Sequence, residues 1–274
     1  MRCIVRISIG AGVLAAVSLT AFAQAKGVFL SDLTWLQAEK ALKSDTVVVI
    51  PLGAESKEHG PHLKLNTDFV QAEYLKKQVV ERANVVIAPT INYNYFPAFV
   101  DYPGDTSLSL ETSRDMVVEI CRALAKFGPR RFYVLNMGVS TIYPLRAAAE
   151  VLAAEGILLA YTASQPDRPG QRSIDNKVDP VAGTHANESE TSVMLYMDPA
   201  SVDMSRAVKD YHPSNTPGRS VLTRDPNNPG VYSASGVYGD ATLATRERGE
   251  RETKATLEGI LKDIEDLRKL GTHD

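Results

Sequence analysis

Apolar positions along this chain follow two rhythms that take turns. Short unbroken runs, Val47-Val48-Val49-Ile50, Phe132 to Leu135 and Ile157 to Tyr161, have the length of strands buried on both faces, and Asn84 to Ala88, closed by Pro89, reads as another. Between them apolar residues return at helical spacing. Trp35, Leu36, Ala38 and Leu42 follow cap residues Ser31 to Thr34, and Phe69, Val70, Leu75, Val79 and Val80 follow Asp68. Met116, Val117, Ile120, Cys121, Leu124 and Phe127 follow a cap at Ser109 or Thr112, and Leu145, Ala147, Ala148, Val151, Leu152 and Ala153 end at Gly156. This alternation predicts an α/β fold, a mostly parallel sheet with helices on both faces. A last helix, roughly Ala244 to Leu270, carries Leu257, Ile260, Leu261, Ile264 and Leu267 on one side and is expected to cover a sheet edge or meet a partner subunit.

The first residues break the pattern. Arg2 and Arg6 precede an apolar stretch from Ile7 to Ala23 that ends in Ala21-Phe22-Ala23 and Ala23-Gln24-Ala25. A charged start, an apolar middle and small residues at the end predict a secretory signal peptide over residues 1–25, with 26–274 forming one α/β domain, exported to the periplasm or secreted. Cleavage leaves no membrane span. It also removes Cys3, so Cys121, among apolar helix positions, is the only thiol left; no internal disulfide can form, and a buried inert thiol is expected.

Composition changes the picture little. Lys and Arg number 30 against 33 Asp and Glu, a formal charge of −3, and no basic run tracks a phosphate backbone; nucleic acid is excluded as an expected partner. No Gly-x-Ser-x-Gly elbow and no Gly-x-Gly-x-x-Gly after a strand are present, against a serine hydrolase and a dinucleotide enzyme.

Candidate chemistry gathers just past the Val47–Ile50 strand. Glu55, Glu58, His59, His62 and Asp68 fall within fourteen residues around a Gly60-Pro61 turn, where open α/β sheets carry their sites. Imidazoles with carboxylates suit Zn²⁺, Mn²⁺ or Fe²⁺. A solvated turn is the plainer reading of such a loop, and an N-cap the plainer reading of Asp68. The segment 92–106, dense in aromatics, Pro and Gly, either walls a pocket or makes a subunit contact. A second informative stretch, Gly183 to Ser192, opens a helix with Glu188 and Glu190 in its first turn, where carboxylates also serve as capping groups.

Four stretches, in order, resemble the creatininase (creatinine amidohydrolase) family: Glu58-His59-Gly60-Pro61-His62-Leu63 through Asp68; Tyr102-Pro103-Gly104-Asp105-Thr106-Ser107; His185-Ala186-Asn187-Glu188-Ser189-Glu190-Thr191-Ser192; and Gly236-Val237-Tyr238-Gly239-Asp240 with the helix after it. The resemblance implies a three-layer α/β/α sandwich, often hexameric, whose metal centre hydrolyses a C–N bond in a small cyclic or linear amide. It implies metal ligands at Glu58, His59, Asp68 and Glu188, with His62 and Glu55 as possible additions, and holds one or two Zn²⁺ or Mn²⁺, or Fe²⁺. His185 becomes the proton-transfer residue and Glu190 a supporting catalytic carboxylate.

Two positions depart from that pattern. Lys57 stands where the family's Glu precedes the His by two, and Gly138, in Asn136-Met137-Gly138-Val139-Ser140-Thr141, stands where the family has a ligand His. Losing an imidazole weakens a two-metal centre. The leading expectation is an exported metal-dependent amidohydrolase, with a single-metal site or a site completed by His62 or another residue. The alternative is a non-catalytic periplasmic binding or scaffold protein on the same fold.

Overall fold

A computed structural model of the chain describes residues 25–162, 183–212, 221–228 and 230–271. Most of the predicted signal peptide, the polar excursion after Ser164 and His273 lie outside them. No described helix is long and apolar enough to cross a membrane.

The centre is β2 (Val47–Leu52), every residue of which is buried. A strand so apolar has no face to offer water, and it is satisfied by parallel neighbours on both sides and helices above and below. Around it lie β1 (Val28–Phe29), β3 (Val86–Ile87), β4 (Arg131–Asn136) and β5 (Leu158–Tyr161), in the order β1-β3-β2-β4-β5, all parallel. β3 is shorter than the run 84–88 predicts; beyond it the chain stays tied to β2 through the Ala88 amide, which donates to Val49 O at 2.8 Å, and through a bridge from Ile91 to Leu52.

Alternation along the strands splits the core in two. Val48, Ile50 and Leu52 face one cluster with α3 (Leu110–Ala125), α4 (Ile142–Ala153) and α1 (Trp35–Ala41). Val47 and Val49 face the other, with α2 (Thr67–Arg82) and α6 (Arg246–Lys269). The result is the three-layer sandwich that the sequence predicts. Cys121 is buried in the first cluster, where desolvation pushes its thiol up to about 12, the inert state expected of it.

The last helix corrects one expectation. Leu257, Ile260, Ile264 and Leu267 of α6 lie over a sheet face, packed with α2, rather than along an edge; the edges are β1 and β5. Its start also leans on α5 (Glu188–Met197), because Gly249 lacks the Cβ that would overlap the Ser192 carbonyl. A small antiparallel sheet, β6 (Gly183–His185), β10 (Tyr238–Asp240) and β7 (Lys209–Asp210), stands apart from the main one, and a parallel pair, β8 (Leu222–Thr223) and β9 (Val231–Tyr232), completes the described strands. Strands of two or three residues carry too little periodicity to be read from sequence.

Candidate active site

Beyond the end of β2 the loop 53–66 turns back onto α2. Gly53 permits this: a Cβ there would overlap the Asp68 carbonyl. The amide of Phe69 then donates to Ala54 O at 3.1 Å, fixing the first turn of α2 against the loop. Asp68 is thereby delivered to His59, whose Nε2 lies 3.0 Å from Oδ1, both side chains buried.

The tautomer of His59 follows from its other nitrogen. Nδ1 lies 2.9 Å from the Lys57 carbonyl, which can only accept, so Nδ1 carries a proton. In the neutral ring Nε2 then presents its lone pair to a carboxylate oxygen. Two electron-pair donors so close require a cation, either a second proton on the ring or a metal ion bound by both. Ligands about 2.0–2.2 Å from one ion sit roughly 3 Å apart, so the spacing suits shared coordination. Glu190 supplies a third donor: one atom each from His59, Asp68 and Glu190 lie within 4.8 Å of one another. This donor set fits a divalent ion such as Zn²⁺ or Mn²⁺.

Lys57 enters the same cluster. Its Nζ lies 2.6 Å from Asp68 Oδ2, and both side chains are buried. Burial alone would depress its pKa, but Asp68, Glu190 and Glu58 outweigh that and hold the ammonium above the ordinary lysine value. Asp68 is the counterpart: burial raises its pKa, yet Lys57 and His59 hold the carboxyl well below the usual range.

His185 arrives from β6 and packs beside His59, ring centroids 5.2 Å apart, with Phe99 of the aromatic loop tilted over it at 4.1 Å. That loop does wall the site. Nε2 of His185 lies 2.9 Å from both the carbonyl and carboxylate Oε2 of Glu58, so Nε2 carries a proton; in the neutral ring Nδ1 then presents the lone pair, 3.7 Å from Glu190 Oε2. The turn after it is tight: Ala186 has φ 48°, a left-handed conformation costing about 1–2 kcal/mol for a residue with a Cβ. It points the Ala186 amide at Glu190 Oε2 and lets Asn187 cap α5, accepting from the amides of Ser189 and Glu190.

The structure separates the residues expected as ligands. Glu58 is buried, but its carboxylate accepts from the Gly60 amide and meets His185, outside the group formed by His59, Asp68 and Glu190; it orients an imidazole instead of joining that group. Gly236, at φ 81°, makes this possible, since a Cβ there would overlap the Glu58 carboxylate. Glu188 is turned away to Arg248 of α6, Nη1 to Oε1 at 2.6 Å. Residues two apart on a helix project about 200° apart, so Glu188 and Glu190 cannot face one point, and Glu190 takes the inward position. Glu55 is exposed and accepts from Asn92 at 2.7 Å. His62 is buried with Nε2 2.8 Å from Thr191 Oγ1, its Nδ1 unpartnered, and burial lowers its pKa. Gly138 brings no side chain; its amide and carbonyl are tied to the Asn136 side chain.

Sequence reasoning passed over Asp105. Its Oδ1 accepts from the Glu58 amide at 3.1 Å while Oδ2 is buried without a partner, and desolvation pushes the carboxyl up to about 6. Its place in the Tyr102–Ser107 motif was the available signal.

A doubly covered parallel sheet carries, beyond its central strand where open α/β sheets place their sites, an imidazole–carboxylate group able to hold a divalent ion. The creatininase family model, described as creatinine amidohydrolase, matches residues 31–264, and the chain belongs to that family. It is 29% identical to the creatinine amidohydrolase of Pseudomonas putida over 87% of this chain and 96% of that protein. It is 30% identical to the mycofactocin precursor peptide peptidase of Mycolicibacterium smegmatis over 75% and 78%. It is 25% identical to the 3-dehydro-scyllo-inosose hydrolase of Thermotoga maritima over 88% and 84%. Among solved structures, a mutant creatininase of Zn-Zn type superposes with a TM-score of 0.70 at 27% identity, covering 89% of this chain and 99% of that one. A structure described as creatininase Mn gives 0.70 at 25% identity, covering 89% and 100%.

Proposed function

We propose that this protein is an exported amidohydrolase that cleaves a C–N bond in a small cyclic or linear amide, with water activated at a divalent ion. The observation that carries the proposal is the convergence of His59, Asp68 and Glu190 beside a second, oriented imidazole. When bound there, Zn²⁺ or Mn²⁺ lowers the pKa of water and polarises a carbonyl.

The chain's own residues supply the rest. Lys57 carbonyl fixes the tautomer of His59, so that Nε2 is the donor atom. Asp68, buried and held ionised, offers its charge without needing to lose a proton at neutral pH. Glu58 fixes the tautomer of His185 and leaves Nδ1 free to take a proton from the nucleophile and return it to the leaving nitrogen. Phe99 covers the His185 ring and keeps water from its face. Relatives with this fold act on differently described substrates, so the amide itself is set by the loops around the site. Export is supported by the arginines and apolar stretch of residues 1–25, and hexamers by the family resemblance.

The test is hydrolysis of a panel of lactams, creatinine included, and short linear amides by purified protein, before and after chelation and on restoring Zn²⁺ or Mn²⁺. Activity should vanish on chelation, return with metal, and fall at least about 100-fold in His59→Ala. Hydrolysis indifferent to both would refute the proposal. Cell fractionation and light scattering check export and assembly.

A further inference from the structure

Asp68 divides its two oxygens between two partners, and only one of them leaves a metal position. Oδ1 lies 3.0 Å from His59 Nε2, the side on which Glu190 also converges. Oδ2 lies 2.6 Å from the Lys57 ammonium. We infer that Lys57 is a resident cation of this site, filling the second cation position on Asp68, so that the chain binds one divalent ion, on His59, Asp68 and Glu190, and not two.

Several independent features hold the ammonium where it is. Lys57 is 4% exposed, so its charge has no solvent to retreat to, and the Asp68 carboxylate is its direct hydrogen-bond partner. Phe99 and Phe96 turn their rings towards Nζ, at 5.1 and 5.8 Å from the centroids, a setting that attracts a cation without offering it a proton acceptor. Its backbone is pinned at both ends: the amide donates to Leu65 O at 3.0 Å and the carbonyl accepts from His59 Nδ1. The lysine is therefore built into the same turn that aims His59.

The other positions at which the family resemblance implies a ligand are taken up or empty of a side chain, and neither His62 nor Asp105 belongs to the group formed by His59, Asp68 and Glu190. Gly138, at the end of β4, has no side chain, and an added Cβ there would meet Thr141 Oγ1 at 2.8 Å. Glu58 and Glu188 are engaged with His185 and Arg248. Among the described residues one group of three donors remains. A second dication on Asp68 Oδ2 would coincide with the ammonium. The related mutant creatininase is described as of Zn-Zn type; here a singly charged ammonium, covalently part of the chain, takes the place of one of two dications.

The inference rests on the reading of His59, Asp68 and Glu190 as ligands, but not on hydrolysis. Metal-stripped protein is titrated with Mn²⁺, and the ions counted by calorimetry and by elemental analysis after dialysis, taking only those lost in His59→Ala. The expected count is one per chain. Lys57→Glu, which exchanges the cation for a ligand, should raise it to two, while Lys57→Met leaves it at one. Should Lys57→Glu fail to fold, anomalous diffraction from wild-type crystals soaked in Mn²⁺ decides: one peak, with Nζ still on Oδ2, is expected. Two ions in the wild type, none at all, or an ammonium displaced outward on metal binding overturns the inference. One ion without amide hydrolysis would sink the proposed function and leave this inference standing; hydrolysis with two ions does the reverse.

Discussion

Nε2 of His185 lies 2.9 Å from Oε2 of Glu58, two residues 127 positions apart in the chain, and that contact sets which nitrogen of His185 is free. The partnership makes Glu58 a positioning residue. Glu58→Gln retains an acceptor and should lower kcat/KM about 10-fold, whereas Glu58→Ala should lower it about 100-fold. Rescue by the conservative variant separates this from a general structural defect, since Gln keeps an acceptor for His185 Nε2 and Ala does not, while urea unfolding reports any loss of folded protein.

Gly236 is the steric counterpart of that contact. Its φ of 81° and the overlap that a Cβ would make with Glu58 predict that Gly236→Ala destabilises the protein by about 1–3 kcal/mol and displaces the carboxylate. Urea unfolding measures the first effect and kcat/KM the second; a silent substitution would mean that the turn does not hold Glu58.

The two glutamates at the start of α5 should separate cleanly. Glu190→Gln is expected to weaken Mn²⁺ binding at least about 10-fold, because it removes one of the three converging donors. Glu188→Gln should leave that affinity unchanged and cost no more than about 1 kcal/mol, the value of a partly exposed ion pair with Arg248. Calorimetric titration of both variants reads the difference.

Asp105 predicts a pH dependence of stability. Burial raises its carboxyl to about 6 in the folded chain, against 3.8 ordinarily. Between those values the native state binds more protons than the unfolded state, so stability is highest at the acid end and declines as pH rises from about 4 to 6. Its half-burial keeps the effect on the order of 1 kcal/mol. Asp105→Asn keeps an acceptor for the Glu58 amide and should flatten this part of the profile in urea titrations run between pH 4 and 7.

Much of the architecture was legible beforehand. Val47 to Ile50 reads as a strand buried on both sides because it has no polar position to turn outward, and Leu257, Ile260, Ile264 and Leu267 reveal a stripe because a helix returns them to one side. The stripe's partner was not legible: apolar periodicity shows that a face is covered and is silent about what covers it. The motif around His59 and Asp68 gave the site its place for a related reason, since the two lie nine residues apart on either side of one short loop.

What the linear order of residues determined, then, is the strand–helix alternation, the buried faces and the clustering of imidazoles and carboxylates past β2. Only the tertiary structure decided the direction of each charged side chain. Glu188 follows Arg248 from α6, Glu58 follows His185 from β6 under Gly236 from the turn before β10, and Lys57 folds inward beneath Phe96 and Phe99. The reason is electrostatic. A long ionisable side chain has several rotamers open to it, and the one adopted is set by the opposite charge or hydrogen-bond partner that distant segments bring within about 3 Å, most strictly at buried Lys57 and Glu58, where desolvation penalises an unpaired charge.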